Sequence, residues 1–103
     1  MSVADWTALK APDFARLDPM TAIAVLPLAA VEQHGPHLPV GTDTLIAQGL
    51  LDRLRLDCPP DIELIVLPVQ TVGKSNEHLW APGTLTLGAA SALAAWVEIG
   101  LCV

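Results

Sequence analysis

The apolar run Ala22-Ile-Ala-Val-Leu-Pro-Leu28 constrains the fold of this chain more than any other feature. It is continuous rather than alternating, contains β-branched residues, and lies between Pro19 and a Gly/Pro-rich stretch, the pattern of a strand buried on both faces. A central strand is expected there. From Thr44 the period changes: Ile46, Leu50 and Leu54 recur with Ala47 and Leu51 beside them, while Gln48, Asp52, Arg53 and Arg55 are free to face water. That spacing predicts an amphipathic helix. It should stop before Cys58-Pro59-Pro60, because proline lacks an amide hydrogen and restricts the residue before it. Ile62-Glu-Leu-Ile-Val-Leu67 then reads as a second strand. Strand, helix and strand in this order make a βαβ unit with parallel strands and a right-handed crossover, so the predicted class is α/β. Residues 68–86 form another Gly/Pro-rich loop, followed by a second helix marked by Ala90, Leu93, Ala94, Val97 and Leu101.

With 103 residues the chain has room for one domain, since a single core normally takes roughly 100 to 150 residues. Apolar residues make up 52% and charged residues only 16%, and the mean hydropathy is +0.51. A domain this small does not easily bury so much apolar surface, which points to an oligomer or to a fragment whose missing part would cover it. Eleven acidic residues against five basic ones give a net charge of −6 with no Lys/Arg cluster. Nucleic acid is therefore not an expected partner, because binding it requires clustered positive charge. The amino terminus lacks a basic region followed by an apolar one, and no run reaches 18 apolar residues, so the expectation is a cytoplasmic protein with no membrane partner. Cys58 and Cys102 have neither metal-finger nor redox spacing and read as plain thiols.

In parallel α/β sheets ligands bind at the carboxyl ends of the strands, where both long loops leave the sheet. The first loop carries Glu32 and His34, one residue apart and so pointing the same way on extended backbone. Asp43 follows at the start of the helix, where a folded-back loop would bring its carboxylate beside them. Imidazole with carboxylates suits zinc or manganese, and two such ions can together activate a water and polarise an amide carbonyl. On spacing alone another reading stands: Thr42 or Asp43 as a helix N-cap, and Glu32, His34 and His37 as ordinary polar loop residues. Gly35, Pro36, Pro39 and Gly41 restrict the loop path, as preorganised ligands require.

The segment Leu26-Pro-Leu-Ala-Ala-Val-Glu-Gln-His-Gly-Pro-His-Leu-Pro-Val-Gly-Thr-Asp43 strongly resembles the metal-binding segment of the creatininase (creatinine amidohydrolase) family. Gly73-Lys-Ser-Asn-Glu-His-Leu-Trp-Ala-Pro-Gly-Thr84 resembles that family's later loop. The resemblance implies a three-layer α/β/α architecture with a mostly parallel sheet. It also implies that Glu32 binds one metal, His34 the other, and Asp43 bridges them, with zinc or manganese as the ions. Ser75, Glu77 and His78 would sit at the substrate edge of the pocket or just behind the ligands, as catalytic or supporting groups. A rival reading makes Glu77 and His78 a hydrogen-bonded pair holding the loop, with Trp80 packed on the core. His37 would steady the turn, donating to a backbone carbonyl. The implied function is metal-dependent hydrolysis of a C–N bond in a small-molecule amide, cyclic or linear, by a homo-oligomer, often a hexamer. Creatinine, a formylated amine and a modified peptide are all compatible substrates.

Members of that family are longer and continue into a further strand and a glycine-rich, histidine-bearing segment that supplies the remaining ligands. Residues 1–103 are thus expected to be one creatininase-like domain cut short at its carboxyl end, and full activity is not expected of them alone. A shifted reading frame, an early stop, a half-length polypeptide and a second chain that completes the site all fit. Two competing readings follow: a non-catalytic metal-binding or scaffold subunit, and an inactive truncated product.

Overall fold

The computed structural model describes residues 2–103. Strand β1 (Val3–Asp5) leads into a 3-10 turn at Trp6–Ala8 and a one-turn helix, α1 (Ala11–Phe14). Then come β2 (Ile23–Val25), α2 (Thr42–Asp57), β3 (Leu64–Val66), a 3-10 turn at Asn76–His78, and α3 (Ala89–Cys102). The strands form one parallel sheet in the order β1-β3-β2. In it Leu64 pairs with both Val3 and Ile23, and Val66 with both Asp5 and Val25. The predicted β2-α2-β3 unit is present with its two strands adjacent.

The central strand, however, is β3 and not the Ala22–Leu28 run. Leu64, Ile65, Val66 and Leu67 are all buried, whereas β2 lies at an edge of this sheet with Ile23 52% exposed. The displacement comes from β1, which takes the far side of β3 and whose three residues are too short to show a period. Leu64 N–H donates to the Ser2 carbonyl at 2.7 Å, and Ile23 N–H donates to that of Glu63 at 2.9 Å.

Alternation along β3 gives the sheet two apolar faces. Val3, Leu64 and Val66 form one, with Val25, Leu51, Leu54 and Cys58 packed against it. Ile65 looks the other way, with Ala24, Trp6, Phe14 and the end of α3 around a cavity of about 560 Å³. The Trp6 and Phe14 rings meet there with centroids 4.5 Å apart. Each fully buried branched or aromatic side chain stabilises the fold by about 1.5–3 kcal/mol, so β3 is the element that holds the layers together.

Helix α2 begins after Gly41 and ends at Cys58, which is already extended ahead of Pro59, as proline requires. Its core-facing side is only part of the expected one. Leu51 and Leu54 reach the core, while Ile46 and Leu50 are exposed. The same holds for α3, where Ala92 is buried but Leu93, Val97 and Leu101 face out. α3 carries apolar residues nearly all round, so periodicity alone cannot select the side that docks. Among the described residues, no helix is long and apolar enough to cross a membrane.

Beyond the strand ends the two long loops are laced together. Leu28 and Gln70 form a parallel bridge, and Val31 and Leu85 an antiparallel one. At Gly73 the backbone passes so close to the first loop that a Cβ would lie 2.5 Å from the Ala29 carbonyl oxygen.

Candidate metal centre

Two reversals of the first loop build the site. Glu32 N–H donates to the Val40 carbonyl at 3.1 Å, and His34 bridges Leu38 across a turn that begins at Gly35. Gly35 has φ +75°, a conformation that disfavours any side chain. The chain then turns into α2, with the Thr42 hydroxyl donating to the Pro39 carbonyl at 2.6 Å. The N-cap is Gly41 without a side-chain bond, so neither Thr42 nor Asp43 caps the helix. Asp43 instead turns its carboxylate to His34, with Oδ1 3.2 Å from Nε2.

The other ring nitrogen settles what faces that carboxylate. His34 Nδ1 lies 3.0 Å from the Glu32 carbonyl oxygen, which can only accept, so Nδ1 carries a proton and Nε2 is left for a proton or an ion. A backbone carbonyl orienting a ring in this way is the usual companion of a metal-binding histidine. The Glu32 carbonyl raises the His34 pKa above its ordinary value; partial desolvation opposes the shift, and the Asp43 and Glu32 carboxylates add to it.

Glu32, His34 and Asp43, all half-buried, each offer one ligand atom, and these atoms lie within 4.8 Å of one another. Ligands about 2.0–2.2 Å from one zinc are at most about 4.4 Å apart, so a slight inward closure would seat an ion. The donor set, two carboxylates and one oriented imidazole, fits such an ion and leaves a coordination position open.

The second loop supplies a wall. Thr84 Oγ1 accepts from Gln33 N–H at 3.2 Å, and the Gln33 side chain meets the His78 ring, Nε2 to Nδ1, at 3.3 Å. His78 Nε2 in turn lies 3.8 Å from Glu32 Oε2. Glu77, His78 and Glu32 form a second cluster of the same size as the first. Glu77 is bonded to Lys74 at 2.9 Å rather than to His78, and that hydrogen bond lowers its carboxyl pKa. Ser75 is completely buried and its hydroxyl has no partner among the described residues, while its backbone N–H donates to Thr86 at 2.7 Å. The second loop thus brings His78 and Glu77 to Glu32 but keeps Ser75 closed to solvent. Trp80 is 75% exposed and does not pack on the core. His37 is exposed, with no hydrogen bond among the described residues. Gln33 was not foreseen, because a lone glutamine beside charged candidates carries no signal of its own; only the folding of one loop onto the other gives it a role.

Known proteins resemble this chain in sequence and in fold. The family model "Creatininase: Creatinine amidohydrolase" matches residues 7–103. A mycofactocin precursor peptide peptidase of Mycolicibacterium smegmatis is 37% identical over 87 residues, which is 82% of this chain and 35% of that protein. One from Mycobacterium tuberculosis is 38% identical over 82 residues, covering 74% and 33%. Two tryptophan-substituted mutants of creatininase have the same fold, with TM-scores of 0.74 and 0.75 at 24% identity over 92% of this chain and 38% of theirs. The chain spans about a third of the length of the curated relatives it matches. With nearly every residue inside the family match, the chain belongs to the creatininase, or creatinine amidohydrolase, family.

Proposed function

We propose that this chain forms the metal-binding part of a hydrolase that cleaves a C–N bond in an amide, with zinc or manganese as the ion. The reading rests on one observation: His34 is oriented through Nδ1 so that Nε2 faces Asp43, with Glu32 closing the group. When bound, such an ion supplies Lewis acidity, both to activate a water and to polarise the amide carbonyl.

The chain's own residues have separate tasks. Glu32 and Asp43 provide negative charge, and His34 provides a neutral nitrogen once Nε2 has lost its proton. The Glu32 carbonyl keeps that ring from turning. Glu77 and His78 stand on the loop that faces Glu32, where an amide substrate would lie against them. The relatives' name supports a peptide amide as one substrate; a cyclic amide and a formylated amine remain equal alternatives. The working form is a homo-oligomer in the cytoplasm, acting on a small molecule, with no nucleic-acid or membrane partner.

The test is the metal content of the purified chain beside that of Asp43→Ala. Near-stoichiometric zinc or manganese that is lost in the variant is the expected result, and amide-cleavage assays follow from it. A native chain that binds no added ion refutes the reading. Metal uptake with no turnover favours a metal-binding subunit that works with another chain.

A further inference from the structure

Two histidines stand beside Glu32, and the groups around them give them opposite protonation patterns. His34 has its proton on Nδ1, toward the Glu32 carbonyl, and its Nε2 is open. For His78 the deciding residue is Gln33. Gly35 N–H donates to Gln33 Oε1 at 2.9 Å, which fixes the amide and turns its NH2 toward His78 Nδ1, 3.3 Å away. An amide NH2 can only donate, so Nδ1 of His78 accepts and the neutral ring holds its proton on Nε2. That N–H faces Glu32 Oε2 at 3.8 Å.

The cluster Glu32–Glu77–His78 therefore differs in kind from Glu32–His34–Asp43, although the two have the same size. The nitrogen His78 turns to the cluster bears hydrogen instead of a lone pair. Glu77, its remaining member, is already neutralised by Lys74. We propose that His78 is a positioning residue and not a metal ligand: held by Gln33, it directs an N–H at Glu32 and so fixes the carboxylate that the ion would take. At 3.8 Å the contact is longer than a direct hydrogen bond, so it acts through the charge and direction of the N–H rather than as a formed bond. The inference rests on the proposed metal site, but its central claim, the two tautomers, is observable without any metal.

The experiment is long-range proton–nitrogen correlation NMR on the full chain labelled with 15N-histidine, at a pH where both rings are neutral, followed by titration with zinc. His34 is expected to show its proton on Nδ1 and His78 on Nε2. Zinc should move the bare Nε2 of His34 and leave the Nε2–H of His78 in place. Gln33→Glu replaces the NH2 with an acceptor and should shift the His78 proton to Nδ1. Zinc affinity measured by calorimetry should fall about tenfold or more in His78→Leu, the range seen when a residue orienting a ligand is lost. His78→Gln keeps an N–H donor and should recover most of the affinity. A His78 proton found on Nδ1 in the native chain, or displaced from Nε2 by zinc, overturns the inference, as do equal losses in the two His78 variants. A chain with the expected tautomers that takes up no zinc overturns the metal reading instead, and with it the purpose assigned to this contact.

Discussion

Two oxygens face the His34 ring, the Glu32 carbonyl at Nδ1 and the Asp43 carboxylate at Nε2, and both favour the charged imidazole. Because the folded pKa lies above the unfolded one, this stabilisation of the metal-free chain is fully present below the unfolded value. It is lost as pH rises through the folded value. Ion binding runs the other way, since the ion and the proton compete for Nε2. Zinc affinity measured calorimetrically across pH should rise about tenfold per unit below the raised His34 value and level off above it. A flat profile there would remove His34 from the ligand set. At Gly73 the constraint is steric: a Cβ 2.5 Å from the Ala29 carbonyl oxygen has no flexible neighbour to yield. Gly73→Ala should therefore cost about 1–3 kcal/mol in denaturant unfolding, the usual range for overpacking, and should loosen the hold of the second loop on Glu32.

The elements divide into those that local pattern defines and those that need a neighbour. α2 starts and stops near where proline chemistry and apolar spacing place it. Of its expected apolar residues Leu51 and Leu54 turn inward, where the sheet offers them Val3, Leu64 and Val66, while Ile46 and Leu50 stay exposed. Ile65→Ala, in the buried central strand, should cost about 2–5 kcal/mol, whereas Leu50→Ala on the exposed side of α2 should stay within about 0.5 kcal/mol. Comparable losses from the two would show that Leu50 faces the core after all.

Taken together, the residues of this chain expose more surface than a compact monomer of their mass. The chain exposes 6835 Å², against about 5,500 Å² for a compact monomer of 10.8 kDa. Its radius of gyration is 15.8 Å, where about 13 Å is usual for a domain of this length. The excess, roughly 1,300 Å² on one chain, is more than the ~800 Å² a standard interface buries per partner, and either a second copy or the further length its relatives have would cover it. Leu93, Val97 and Leu101 on α3 and Leu45, Ile46 and Leu50 on α2 account for part of it. Sedimentation velocity over a range of concentrations should show self-association, weakened by Leu93→Lys combined with Leu101→Lys. A species that stays monomeric throughout would count against the homo-oligomer.

Several features were accessible to sequence because their causes are local. The βαβ order follows from period, the end of α2 from proline, and the grouping of Glu32 with His34 from alternation over extended backbone. The resemblance of residues 26–43 and 73–84 to one family extended that reading to a metal and an amide bond. Three features depended on tertiary structure. The place of β3 at the centre required β1, whose pairing spans some sixty residues and leaves no period in three. The buried sides of α2 and α3 required the sheet, since helices with apolar residues on several sides have no preferred face until one is covered. The distinction between His34 and His78 required the first loop to meet the second, because a tautomer is set by whichever group reaches the other ring nitrogen, and no spacing in the chain encodes that.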